Sequence, residues 1–331
     1  MSKTVAIILA AGISSRMKTR VPKVLHKVCG REMLAYVLDA CRTAGAEKIY
    51  VVVGYGGEQV KERFAGAKDI VWVRQEEQLG TGHAVLCCKE HLKDFDGRTL
   101  ILCGDGPLIR AEVLRTLIDT YEKGKYAAVL ATAMLDDPTG YGRIVRDNMG
   151  NIAAIVEHND ASAEQRKIKE VNPSYYLFNN KVLFDALAEI RPDNVKGEYY
   201  ITDAVAITLS KGLTVTAVSS VRAEEAMGVN DRRQLSEVAR IMQRRIQDGL
   251  MVSGVTIVDP ANTWIDAGAN IGQDTIIEPF TYIQGNVKID NSCRIGPFAF
   301  VADGTVIEGG CEVGPGGMFT DDNVKTFDSK A

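Results

Sequence analysis

Apolar residues fall in short unbroken runs over 5–9, 49–53, 70–73 and 100–102, and helical patterns over 33–44 and 57–64 lie between them. A run without polar alternation reads as a strand buried on both faces. Amphipathic helices between such strands predict a parallel sheet covered on either side, an α/β fold. Ligands of such a sheet collect beyond the carboxyl ends of its strands, so the loops after Leu9, Val73 and Leu102 are the places to search. Past about residue 130 the rhythm loosens, with strand-like stretches at 127–133 and 213–218 and polar loops between them.

Residues 231–249 read as one helix. Leu235, Val238, Ile241, Met242 and Ile246 share a face, while Arg232, Arg233, Arg240, Arg244 and Arg245 lie mostly elsewhere as a solvated surface. Beyond it an aliphatic residue returns at every sixth position: Ile265, Ile271, Ile277, Ile283, Ile289, Ile295, Val301, Ile307 and Val313, with Phe319 in the next slot. This period predicts a parallel β-helix in which each hexapeptide forms one side of a coil, giving roughly three coils. A solenoid that short exposes apolar ends and sides, so a homo-oligomer, and a trimer in particular, is expected. The period is lost from Asp321, and 321–331 reads as a frayed or capping tail.

The 331 residues are 46% hydrophobic, enough for one sizeable core and a second, smaller unit. A formal net charge of -4 excludes a broad electrostatic footprint for nucleic acid, so an anionic substrate must be held by a few placed cations. The cysteines at positions 29, 41, 87, 88, 103, 293 and 311 form no CxxC pair. Neither a disulfide framework nor a zinc ribbon is indicated, and a cytoplasmic location is expected. Gly12, Arg16, Lys18 and Arg20 interrupt the first apolar run too early for a signal peptide, and no run approaches the roughly 18 to 20 residues of a spanning helix.

The candidate chemistry lies in the loops already singled out. Residues 9–17, LAAGISSRM, follow the first strand directly, and their small side chains let backbone N–H groups approach an anion, with Ser14 or Ser15 able to cap the next turn. The spacing is not that of a Walker loop. Arg16 and Lys23, the latter just after Pro22, flank this cradle with two cations. Asp105, within CGDGPL at the end of the run 100–102, is placed to hold a hard cation that bridges phosphate oxygens. No Cys–His or Ser–His pair suggests a covalent intermediate. His83 and His158 read as structural hydrogen-bonding residues, since a phosphate nucleophile needs no general base.

Read in order, LAAGISSRM (9–17), PKVLH (22–26), QLGTGHA (78–84), Gly104-Asp105, DPTGYGRI (137–144), IVEH (155–158), GEYYITD (197–203) and GVN (228–230) carry a resemblance. The chain resembles the uridylyltransferase half of bacterial bifunctional N-acetylglucosamine-1-phosphate uridylyltransferases, over nearly its whole length to residue 320. The resemblance implies a Rossmann-like, glycosyltransferase-A-like nucleotidyltransferase domain at 1–229, a connecting helix at 230–250, and a left-handed β-helix at 251–320. It also implies transfer of UMP from UTP to N-acetylglucosamine 1-phosphate, with Mg²⁺ as cofactor and pyrophosphate as leaving group. By the same resemblance Leu9, Ala10, Ala11, Gly12, Cys103 and Gly104 line the nucleotide site, and Gln75, Gly80 and Thr81 read the uracil. Arg16 and Lys23 are the catalytic cations on the phosphates, and Asp105 and Asn230 bind the metal. Gly142, Glu157, Asn172, Tyr200 and Thr202 contact the sugar phosphate.

Departures from the family pattern bear on specificity. Ile13 and Ser14 stand where Lys-Gly is commoner, Gly106 replaces a β-branched residue, and Pro173 follows Asn172 in place of a small hydroxyl residue. Phe300 and Ala302 stand where the family carries arginines, so no acetyltransferase activity is expected; the unfamiliar stretch from Gly314 points to a naturally short form. Two alternatives stay open: a nucleotidyltransferase for another sugar 1-phosphate, such as glucose 1-phosphate, and a non-catalytic sugar-nucleotide-binding subunit.

Overall fold

The computed structural model describes residues 3–13 and 15–320; Met1, Ser2, Ser14 and the tail 321–331 lie outside the described residues. The chain forms two compact units, Met1–His26 with Met33–Gln234, and Lys27–Glu32 with Leu235–Ala331.

In chain order the strands of the first 230 residues are β1 (Lys3–Ala10), β2 (Lys27–Val28), β3 (Arg31–Glu32), β4 (Lys48–Val53), β5 (Ile70–Arg74), β6 (Gly97–Cys103), β7 (Ala128–Met134), β8 (Gly142–Arg146), β9 (Ile152–Val156), β10 (Glu170–Asn172), β11 (Tyr176–Asn179) and β12 (Val215–Val221). The helices are α1 (Met33–Thr43), α2 (Gly57–Arg63), α3 (Thr81–Leu86), α4 (Lys89–Leu92), α5 (Ala111–Lys123), α6 (Ala163–Arg166), α7 (Asn180–Leu187), α8 (Ile201–Ser210) and α9 (Arg232–Val252).

All but β2 and β3 join one sheet in the order β5-β4-β1-β6-β11-β7-β10-β8-β9, with β12 beside β7. The four strands read as unbroken apolar runs are parallel neighbours, as expected of strands covered on both faces. Alternate residues of β1 enter different cores. Ala6 and Ile8 pack with Leu34, Val37 and Leu38 of α1 and Leu114 and Leu117 of α5, whereas Val5 and Ile7 pack with Val85 of α3, Leu183 of α7 and Val205 of α8. From β11 onward the sheet is antiparallel except where β12 runs parallel to β7, so the wholly parallel arrangement is confined to the half built from β1, β4, β5 and β6. In the other half Ala153 of β9 and Met134 of β7 are exposed, so those strands are not covered along their whole length.

In the second unit, two-residue strands stack into three sides of a parallel β-helix, holding four, four and three strands. Successive pairs form three rows: Ile277 with Ile295 and Ile295 with Val313; Ile265 with Ile283, Ile283 with Val301 and Val301 with Phe319; Ile271 with Ile289 and Ile289 with Ile307. The aliphatic residue points inward and its predecessor outward. The coil begins one side earlier than the six-residue period suggests, because Ile257 pairs with Ile277. The short 3-10 turn Pro260–Asn262 lengthens the step from Ile257 to Ile265 and hides the repeat.

Helix α9 runs beyond the expected 231–249. Its buried residues include Val238 and Met242 but also Gln243 and Gln247, one turn apart. Gln243 Nε2 donates to Ile265 O at 2.6 Å and its Oε1 accepts from Ile265 N at 2.6 Å, while Gln247 Nε2 donates to Thr263 O at 2.8 Å. Two amides thus satisfy backbone groups of the first coil that no strand pairs, which apolar periodicity does not reveal. Among the described residues no helix is long and apolar enough to cross a membrane.

Replacing Gln243 with Ala leaves the buried N–H and C=O of Ile265 without these partners. Urea unfolding followed by circular dichroism should show a loss of about 2 to 4 kcal/mol; a change below about 0.5 kcal/mol would contradict the role given to this amide.

Candidate active site

Parallel pairing sets Leu9 beside Cys103, and the N–H of Gly104 donates to Leu9 O at 2.9 Å. The loops that leave β1 and β6 therefore start side by side. From the first come Arg16 and Lys23, and from the second Asp105. Asn230 arrives from the segment after β12, which is tied down by Val229 N donating to Asp105 O at 3.0 Å and Asn230 N donating to Gln234 Oε1 at 2.8 Å. The Lys23 ammonium forms an ion pair with Asp105 and lies 3.3 Å from Asn230 Oδ1, which also accepts from Arg16 Nη2 at 3.0 Å. Two oxygens and two cations thus meet at one point.

That point joins two cavities. One, of about 390 Å³, is lined by Leu9, Ala10, Ala11, Gly12, Lys23, Gln75, Gly80, Thr81 and Cys103. The other, of about 460 Å³, is lined by Arg16, Gly142, Glu157, Asn172, Tyr200 and Asn230. Asp105 and Cys103 belong to both. Of the residues that the resemblance places in the site, Gly104 and Thr202 line neither cavity. Gly104 is where the two loops approach closely, since a β-carbon there would stand 3.3 Å from Leu9 O. Thr202 is buried and its hydroxyl donates to Glu157 Oε1 at 3.3 Å.

Glycine explains how two distant motifs build one wall. Gly80 has φ +114, and a β-carbon on it would lie 2.6 Å from Tyr199 O. The bare backbone lets Gly82 N donate to Tyr199 O at 2.7 Å, Tyr199 N donate to Leu79 O at 2.8 Å and Ile201 N donate to Thr81 Oγ1 at 3.0 Å. The loop QLGTG is thereby fastened to GEYYI. Just after β5, Gln75 Nε2 donates to Gly80 O at 3.2 Å and to His83 Nδ1 at 3.0 Å, so His83 is a hydrogen-bonding support for Gln75. Gln75 lines the first cavity, and among the described residues its side-chain amide oxygen has no hydrogen-bond partner.

The departures at Gly106 and Pro173 adjoin the same residue, Tyr175. Tyr175 is buried, its hydroxyl lies 3.5 Å from Glu225 O, and a β-carbon on Gly106 would stand 3.0 Å from that hydroxyl. The glycine makes room for the phenol, and Ser174 takes a left-handed φ of +66 between Pro173 and Tyr175. Apolar pattern alone presents Tyr175 as core. Lys196, an exposed cation on the second cavity, also escaped notice, although its place directly before GEYYITD is a usable signal.

Burial sets the ionisation of several groups. Desolvation pushes the Cys103 thiol up to about 12, so it is not a thiolate nucleophile at neutral pH. Desolvation likewise raises the Tyr200 phenol to about 12 and holds the Glu157 carboxyl above the usual carboxylate range. Among the described residues no group of three or more His, Cys, Asp or Glu could enclose a metal. Asp105 and Asn230 suit a hard divalent cation that keeps several waters and takes its remaining ligands from phosphate, because their oxygens already converge on one cationic group.

Comparison with known proteins gives this arrangement a lineage. The MobA-like NTP transferase domain profile matches residues 6–197, and the bacterial transferase hexapeptide (six repeats) profile matches residues 268–303. This chain belongs to the MobA-like NTP transferase family. Within it, the chain is 46% identical over 286 residues to the Bifunctional protein GlmU of Listeria welshimeri, covering 86% of this chain and 62% of that one. It is 49% identical over 276 residues to the protein of that name in Pelotomaculum thermopropionicum, covering 83% and 60%. The chain thus spans about three fifths of the length of these curated relatives. A crystal structure of UDP-glucose pyrophosphorylase complexed with UDP-glucose shares the fold, with a TM-score of 0.60 at 18% identity over 74% of this chain and all of that one. The resemblance read from the motifs and the α/β fold are borne out.

Because the Glu157 pKa is raised on folding, ionising this carboxyl costs stability as pH climbs from its usual value of 4.5 towards its folded value. Glu157→Gln should therefore gain stability relative to the parent protein as pH rises above about 4.5, levelling off once Glu157 is fully ionised. Thermal unfolding across pH checks this; a pH-independent difference, or one of opposite slope, would contradict it.

Proposed function

We propose that the chain transfers UMP from UTP to N-acetylglucosamine 1-phosphate and releases pyrophosphate. The observation that carries this reading is the convergence of Lys23, Asp105 and Asn230 where the two cavities meet. UTP occupies the smaller cavity, with its phosphates towards Gly12, Arg16 and Lys23. Gln75 reads the base: both its amide hydrogens are engaged, so its oxygen accepts from the uracil N3–H, a group cytosine lacks. The sugar 1-phosphate occupies the larger cavity near Gly142, Glu157, Asn172 and Tyr200, with Thr202 holding Glu157. Its phosphate oxygen, already ionised, attacks the α-phosphorus directly, and Lys23 and Arg16 stabilise the charge that gathers on the leaving pyrophosphate. Asp105 and Asn230 would hold Mg²⁺, which neutralises phosphate charge when bound.

The remodelled floor at Gly106, Pro173 and Tyr175 favours a second reading, in which another hexose 1-phosphate is the acceptor. We further assign a homotrimer, formed through the β-helix side that points Trp264, Tyr282, Phe300 and Met318 outward. The free cysteines fit a cytoplasmic location.

Pyrophosphate release should be measured with Mg²⁺ for UTP, CTP, dTTP and ATP against the 1-phosphates of N-acetylglucosamine, glucose, galactose and glucosamine. Turnover confined to UTP with N-acetylglucosamine 1-phosphate is the expected result. Turnover with a different hexose would move the acceptor, and silence from folded protein would overturn the enzyme. Lys23→Ala should lower kcat at least 100-fold, the scale of losing one charge-stabilising group in a transition state.

A further inference from the structure

Arg143 is 1% exposed, and among the described residues no carboxylate is in direct contact with it, Asp137 reaching it only through its field. A buried charge without a counterion is costly and is kept where its field or its hydrogen bonds are used. Its bonds go to the wall of the larger cavity. Nη1 donates to the carbonyl of Tyr141, and Nη2 lies 3.3 Å from His158 Nδ1 and 3.4 Å from Arg166 O. Tyr141, Gly142 and His158 all line that cavity.

The direction of the Arg143 to His158 bond is fixed by chemistry. A guanidinium has only donors, so Nδ1 must be the bare, accepting nitrogen and the ring proton must sit on Nε2. Nε2 has no hydrogen-bond partner among the described residues, and the ring borders the cavity. Glu157, the neighbouring residue, already has its carboxylate engaged by Thr202.

Resting on the reading of the larger cavity as the acceptor site, we propose that His158 is a specificity residue that donates its Nε2–H to an oxygen of the hexose in the sugar 1-phosphate. Arg143 is the positioning residue that fixes the ring's tautomer and plane. A histidine facing this way discriminates among hexoses by an oxygen it can reach, and it takes no proton during the transfer.

Two measurements on the full chain test this. The ¹⁵N spectrum of His158, at a pH where the ring is neutral, should show a protonated Nε2 and an unprotonated Nδ1 shifted by an accepted hydrogen bond, with that shift lost in Arg143→Met and restored in part in Arg143→Lys. A protonated Nδ1 in the parent protein would overturn the proposal, even if Arg143→Met fails to fold. In kinetics, His158→Asn should raise KM for the sugar 1-phosphate about tenfold, the worth of one hydrogen bond, and leave KM for UTP unchanged. His158→Gln, whose amide N–H reaches the place of Nε2–H, should stay within about threefold of the parent. Equal rises in both KM values would overturn the donor role. If the parent protein turns over no hexose 1-phosphate, the hexose donor falls with the proposed function, and the ring spectrum still decides the Arg143 part.

Discussion

The pairing of the Lys23 ammonium with the Asp105 carboxylate, shared with the amide oxygen of Asn230, is the constraint on which the site depends. These three side chains come from positions 23, 105 and 230, and only the sheet brings them together. Parallel strands β1 and β6 end side by side, the Val229 N–H bonds to the carbonyl of Asp105, and Arg16 closes the group from the first loop. Both pairing partners are about four-fifths buried, so their attraction is less screened than that of a surface pair. Each opposite charge offsets the cost of burying the other.

The remaining architecture serves to keep two cavities open on either side of that cluster. Glycines at 80 and 82 let one loop lie against the backbone of Tyr199, walling the first cavity. Thr202 on α8 and the buried guanidinium of Arg143 at the start of β8 hold Glu157 and His158 in the wall of the second. Function on this reading is geometry and electrostatics: no nucleophilic side chain takes part, and burial keeps Cys103, which borders both cavities, as a thiol.

Much of this was legible in the sequence for physical reasons. Unbroken apolar runs give the parallel half of the sheet because its strands are buried on both faces, and the six-residue period gives the coil because each turn must bury an aliphatic residue. The cations at 16 and 23 and the carboxylate at 105 stand in loops that strand ends must expose. What escaped follows from polar groups doing buried work. Gln243 and Gln247 bind backbone rather than water, Tyr175 fills space that the missing side chain of Gly106 leaves, and the Arg143 to His158 bond joins residues 15 positions apart across a pocket wall. The first side of the coil was hidden because two extra residues at the turn Pro260–Asn262 break the count.

The central claim is that the two cavities hold both substrates at one phosphorus, so that transfer occurs in a single displacement. The most direct measurement is the configuration at the α-phosphorus after turnover of a single diastereomer of UTP carrying sulfur at that position. The account predicts inversion; retention would require a covalent enzyme intermediate and would contradict it.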